Sequence, residues 1–240
     1  MTLATTLSVA STLALVVGVA MAAMPAERAQ AKTGGATADA HVADVTYLRE
    51  EEKLARDVYL TLHKRWGLQI FDNISRSEQR HMDRMRALLA SYDAPDPVKS
   101  DEIGAFTNPE LAALYKKLIR QGEKSETQAL LVGATIEDLD IRDIIDMKKR
   151  SSAPEALDAF AKLECGSRNH MRAFTRQLAA RGVVYEAQYL TASELSTIVN
   201  GDHEQCGRMG RGGQGRGGQG HGAQGRSCGD GSQCNCNRGN

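Results

Sequence analysis

Six side chains have the types and spacing to share one piece of chemistry: Glu52, Glu78, His81, Glu137, Asp140 and His170. Glu78 and His81 stand at i and i+3, so on a helix they point the same way and can grip one ion together. Carboxylate oxygen combined with imidazole nitrogen suits Fe, Mn or Zn rather than Ca or Mg. A di-iron helix bundle takes a Glu from each of two helices and a Glu-x-x-His pair from each of the other two. Glu52, Glu78, His81, Glu137 and His170 supply most of that set. A second Glu-x-x-His would need Glu at position 167, where Ser167 stands. Glu164 lies about 240° round a helix from His170 and cannot take its place. Asp140, three residues beyond Glu137, is the residue that could fill the gap. The expectation is Fe or Mn, as one ion or two, with Zn or no ion as alternatives.

Four amphipathic segments with a 3.6-residue period must bring these groups together. They run from about Thr46 to Trp66, Asn73 to Tyr92, Glu126 to Lys149 with a break near Asp140, and Pro154 to Ala180. Gly67 ends the first as a C′ residue. Between the second and third, a loop with Pro95 and Pro97 leads to Asn108-Pro109, an N-cap with Pro at N1 that opens a helix to about Gln121. A short helix over Ser193–Val199 follows the fourth. Each apolar stripe is interrupted about two turns from an end: at Glu52, at Glu78 and His81, at Glu137 and Asp140, and at Ser167 and His170. Buried carboxylates are costly unless they are paired or bind a cation. A lone Glu-x-x-His also occurs on solvated helix faces, and a small rotation of the first helix would expose Glu50, Glu51 and Glu52 together. Interruption of all four stripes favours a polar core able to hold metal.

Whole-chain averages hide three regions. The 240 residues carry 30 basic and 30 acidic side chains, and aromatics are only 5%, which suits helices better than an all-β fold. Residues 1–26 contain no charged side chain and include an apolar run of small residues. With Ala29-Gln30-Ala31 as a cleavage site, residues 1–31 read as a secretory signal peptide, although no Lys or Arg precedes the apolar run; an uncleaved anchor is the rival. Export, periplasmic or secreted, would permit disulfides. Residues 32–44 read as a linker, 45–200 as the helical domain and 201–240 as a disordered tail. The tail holds fourteen of the 23 glycines and four of the five cysteines. Cys206, Cys228, Cys234 and Cys236, with His203 and His221, form a second candidate metal site whose spacing matches no zinc-finger pattern. Disulfides among those four cysteines, leaving Cys165 free in the bundle, are the expectation.

The motifs L-R-E-E-E-K-L-A-R-D-V-Y (48–59), S-E-Q-R-H-M (77–82), V-G-A-T-I-E-D-L-D-I (132–141) and G-S-R-N-H-M-R-A-F (166–174), in that order, resemble an uncharacterised prokaryotic domain-of-unknown-function family of the ferritin-like superfamily. The first two also resemble rubrerythrin-type ligand motifs. The resemblance covers about residues 45–200. It implies an all-α, ferritin-like antiparallel four-helix bundle with a short extra C-terminal helix, and matches Glu52, Glu78, His81, Glu137 and His170 to di-iron ligand slots. It implies no established reaction, so enzymatic activity stays an open expectation. Tyr59 or Tyr92 could serve as redox or hydrogen-bonding groups, and Arg56, Arg80 and Arg168 could pair with spare carboxylates; core filler and solvated faces are the alternatives. The partners expected are metal ions and a second copy of the chain, not nucleic acid, nor a membrane if the signal is cleaved. Two other functions stand beside metal handling: a non-catalytic bundle whose site has decayed at Ser167, and a metal-sequestering tail carried on the bundle.

Overall fold

The structure, a computed structural model, describes residues 38–207. Among them are six helices and no strand: α1 (Ala38–Trp66), α2 (Gln69–Ser91), α3 (Pro109–Gly122), α4 (Glu126–Arg150), α5 (Pro154–Ala179) and α6 (Ala192–Asn200). The expected signal peptide and most of the expected tail lie outside the described residues.

The long helices α1, α2, α5 and α4 form a ring in that order, each packed on the next. Cross-helix contacts show that neighbours are antiparallel. Asp44 at the start of α1 pairs with Arg150 at the end of α4, while Tyr59, further along α1, reaches back to Gly133 and Glu137. Between α2 and α4 the chain returns along the whole bundle, carrying α3 on the outside of α1 and α4, as a long crossover does in this class of bundle.

The local signals act largely as the sequence suggests. Gly67 takes φ of 69° to end α1, and its amide donates to the His63 carbonyl at 2.7 Å. Asn108 caps α3 and Ser125 caps α4 through side-chain oxygens. Thr191 and Glu194 form a reciprocal capping box on α6.

Four boundaries differ from expectation. α1 already begins at Ala38, so the second half of the supposed 32–44 linker is helix, anchored where Val45, Leu48 and the Asp44–Arg150 pair meet the core. α2 begins at Gln69 rather than Asn73. Its N-cap, Leu68, has no capping side chain to announce it, and burial of Phe71 draws the first turn into the bundle. α4 does not break near Asp140: Asp138 and Asp140 find partners on other elements instead of competing for their own backbone. The ordered chain also continues past residue 200. Glu204 pairs with Arg168 and with Arg172 (2.7 Å) on α5, and Cys206 forms a disulfide with Cys165. Tail-internal pairing of Cys206 and a free Cys165 are thereby overturned, because the turn after α6 brings Cys206 back onto the outer face of α5.

The apolar interior falls into two clusters. One gathers Val58, Tyr59, Leu62, Phe71, Leu130 and Phe174; the other gathers Leu48, Met85, Ile144, Met147, Phe160 and Leu163. On every long helix, the residues that interrupt the stripe lie between the two.

Candidate metal centre

The polar layer is assembled one helix at a time. α1 contributes Glu52, α2 contributes Glu78 and His81, α4 contributes Glu137 and Asp140, and α5 contributes His170 and Ser167, all buried. The five candidates Glu52, Glu78, His81, Glu137 and His170 converge as two groups that share Glu78. Glu52, Glu78 and His81 bring one donor atom each within 4.8 Å of one another, and so do Glu78, Glu137 and His170. Each imidazole turns Nδ1 to the carboxylates. His81 Nδ1 lies 2.8 Å from Glu78 Oε2 and 3.2 Å from Glu52 Oε2. His170 Nδ1 lies 2.9 Å from Glu78 Oε1 and 3.4 Å from Glu137 Oε2. The two rings stack with centroids 5.7 Å apart.

These separations fit a metal. Two donors bound to one ion at about 2.1 Å stand roughly 3.0 Å apart at a right angle and roughly 3.4 Å apart at a tetrahedral angle. The donor set fits as well, since oxygen and imidazole nitrogen together suit transition ions. Glu52 Oε1, Glu78 Oε1, Asp140 Oδ1 and His170 Nδ1 are buried and have no hydrogen-bond partner. Although Glu78 Oε1 and His170 Nδ1 are close, their geometry is not that of a hydrogen bond. Natural cores rarely leave such atoms unsatisfied without an ion, a water or a catalytic reason.

The electrostatics are those of crowded acids held by two cationic rings. Burial, then Asp140, pushes the Glu52 carboxyl well above its usual range. Burial also raises Glu78, but His170 and His81 outweigh it and hold Glu78 well below the usual range. Burial would lower both histidines; the flanking carboxylates win, raising His81 and taking His170 to about 10. Asp140 is pushed up to about 8 by burial and by Glu137. The shifts favour protonated imidazoles and protonated carboxyls at Glu52 and Asp140, while Glu78 stays ionised.

Tyr59 reaches the centre: its hydroxyl donates to Glu137 Oε1 at 2.5 Å, leaving Oε2 to face His170. Burial and Glu137 raise its pKa well above normal, so it stays a donor. Tyr92 lies elsewhere, edge-on to His41. The three arginines do not serve the centre. Arg56 binds Asp57 and Asp101, Arg168 binds Glu164 and Glu204, and Arg80 donates to the Arg76 carbonyl on the surface. Glu164 is held by Lys148 and Arg168, away from the centre. No rotation exposes Glu50 to Glu52; all three are buried, Glu50 accepting from the amides of Thr107 and Asn108.

Two contributors were hidden from sequence reasoning. Ser167, the apparent defect, donates to Asp140 and lies 3.0 Å from the Leu163 carbonyl. Gly166 is the other. A Cβ there would come within 2.7 Å of the His81 ring, so the ring's position requires glycine. Its sequence signal, a glycine inside an amphipathic helix one turn before His170, is visible only in retrospect. Of the tail candidates, Cys206 is committed to its disulfide and His203 is exposed; His221, Cys228, Cys234 and Cys236 lie outside the described residues.

No helix among the described residues is long and apolar enough to cross a membrane. A family described as "Uncharacterized protein domain (DUF2202)" matches residues 42–202. The chain is 52% identical over 158 residues to Uncharacterized protein MJ0754 of Methanocaldococcus jannaschii, an alignment covering 66% of this chain and 85% of the relative. A crystal structure of hypothetical protein MJ0754 from Methanococcus jannaschii matches with a TM-score of 0.68 at 47% identity, covering 74% of this chain and 100% of that one.

Proposed function

The chain belongs to the DUF2202 family, and from that premise we propose that its bundle core is a transition-metal centre, Fe or Mn before Zn, with a metal-handling or redox role. The observation that carries this reading is the pair of Glu/His triads sharing Glu78 at metal-ligand separations. Glu52, Glu78 and His81 would hold one position, and Glu78, Glu137 and His170 the other. A bound Fe or Mn ion would supply one-electron chemistry toward oxygen or peroxide. The chain's own part is to orient and to insulate. Tyr59 fixes the rotamer of Glu137, as outer hydrogen bonds fix ligating carboxylates elsewhere. Gly166 leaves room for the His81 ring. The apolar clusters on either side keep bulk water from the acids.

The N-terminal sequence supports export to an oxidising compartment, and the Cys165–Cys206 disulfide supports the same reading. The alternative, a non-catalytic bundle with a decayed centre, draws on Ser167 alone. Elemental analysis of the purified full chain decides between them. After anaerobic exposure to Fe(II), Mn(II) or Zn(II) and desalting, the wild type should retain metal and Glu78→Gln should retain at least tenfold less. A wild type that retains none, with an unchanged melting temperature, overturns the proposal.

A further inference from the structure

Ser167 occupies the position where the sequence pattern lacks a ligand, and the structure puts a carboxylate there from another helix. We infer that Asp140 of α4, positioned by Ser167 of α5, is the fourth carboxylate of a two-ion centre. This rests on the metal-binding reading above and extends it to residues outside both triads.

Three observations carry it. First, Asp140 is 5% exposed, and its Oδ1 is buried without a hydrogen-bond partner. Three other orphaned atoms of the core, on Glu52, Glu78 and His170, belong to the triads; this one does not. Asp140 lies three residues from Glu137 on the same inward face of α4, and its charge acts on Glu52 across the core. Second, Asp140 Oδ2 is fixed by the Ser167 hydroxyl at 2.5 Å. Serine is short enough to leave space for a carboxylate arriving from α4, and polar enough to hold one oxygen while the other stays free. A glutamate at 167 would fill that space itself. Third, charge balance is consistent with it. Glu52, Glu78 and Glu137 alone would leave two divalent ions with an excess positive charge in a buried site, which is costly. Asp140 brings the carboxylates to four and makes the loaded centre neutral. What looks like a lost ligand on α5 is a ligand moved to α4, with Ser167 as its positioning residue.

The test measures Mn(II) stoichiometry on the full chain by equilibrium dialysis, with electron paramagnetic resonance to distinguish coupled from isolated ions. The wild type should take two ions with a coupled signal. Asp140→Asn, which keeps the shape, should take one, with an isolated signal. Ser167→Ala should keep two but weaken the second about tenfold, within the range for outer-shell support. The double change Asp140→Asn with Ser167→Glu should recover two, because the carboxylate is returned to α5. Asp140→Asn binding two ions with wild-type affinity overturns this inference and leaves the metal-binding reading standing, as does a wild type that takes only one ion. A wild type that takes none overturns both.

Discussion

The two sides of α1 bury charge in opposite ways. On the outer side, facing the crossover, Lys53 Nζ donates to Asp57 at 2.5 Å and to the Glu102 carbonyl at 2.8 Å, and sits over the Phe106 ring. Asp57 spends both oxygens: Oδ1 accepts from Arg56, and Oδ2 from Lys53 and the Gly104 amide. Every charge there has a partner supplied by the chain. On the inner side, one residue from Lys53, Glu52 faces a core where four polar atoms lack hydrogen-bond partners. Both regions are nearly dry and both are dense in charge. The outer network is complete as folded, so it is structural. The inner one is incomplete as folded, and its donor groups could hold a metal ion. For Lys53 and Asp57 against Glu52 and Glu78, the unsatisfied atoms draw a distinction that burial alone would not.

The comparison can be broken by experiment. The largest effect should come from Asp57→Ala, which strands Lys53 in the interior. Urea unfolding should show a loss of about 3–5 kcal/mol, the usual cost of breaking one side of a buried pair. In chelated protein the inner counterpart, Glu52→Gln, should leave stability unchanged or raise it, because it removes an acid that the fold does not satisfy. Equal losses for the two would abolish the distinction. Next in size is the outer closure by Cys165–Cys206, which spans 41 residues. Replacing both cysteines by serine should cost about 2–4 kcal/mol without changing the number of metal ions bound.

Metal should stabilise only through the inner region. At a hundredfold excess over Kd it should add about 2.7 kcal/mol, a rise of roughly 5–10 °C in Tm for a domain of this size. That rise should shrink in Glu52→Gln, which removes a donor from one of the two positions, and vanish in Glu78→Gln, which removes the donor they share. Protons compete with the ion, because Asp140, at about 8, and His170, at about 10, both carry protons at neutrality. Apparent affinity should therefore climb from roughly pH 6 to pH 8 as those protons become easier to displace. Titration calorimetry in two buffers should show proton release; affinity independent of pH would remove the histidines from the ligand set. The smallest effect belongs to the outer face of α5. The Arg168 hydrogen bond, with Arg172, depresses Glu204 from 4.5 to about 2. A depressed carboxylate contributes stability above its unfolded pKa. That contribution should therefore be full above about pH 4.5 and fade as pH falls toward 2, and Glu204→Gln should flatten this part of the acid unfolding curve.

The polar layer was legible in the sequence because its members interrupt stripes that are otherwise apolar. Glu52, Glu78, His81, Glu137 and His170 break four separate periodicities at matching depths, and burying such groups makes sense only if they meet. Neighbouring residues carried no such signal. Glu50, Glu51 and Glu52 are identical in type and adjacent, and so nearly are Glu137, Asp138 and Asp140. Which acid faces the core depends on helix rotation, and that is set by what packs outside. Glu50 is claimed by the amides of Thr107 and Asn108, and Asp138 by the amides of Gln188, Tyr189 and Leu190. Phe71 pulls the start of α2 four residues earlier than the apolar period suggests, because its burial draws the first turn into the bundle.

The sequence by itself determined the helices, their inward faces and the acids and imidazoles carried on them, since these follow from a 3.6-residue period that each segment contains. Only the tertiary structure decided that Asp140 meets Ser167, that Cys206 reaches Cys165, and that Asp57 and Asp138 have both oxygens satisfied while Glu52, Glu78 and Asp140 each leave one without a hydrogen-bond partner. Those are contacts between residues 27 and 41 apart, and between α1 and a crossover about fifty residues away. Such pairings depend on how the packed helices are rotated and how the chain returns across them, and no single segment encodes either.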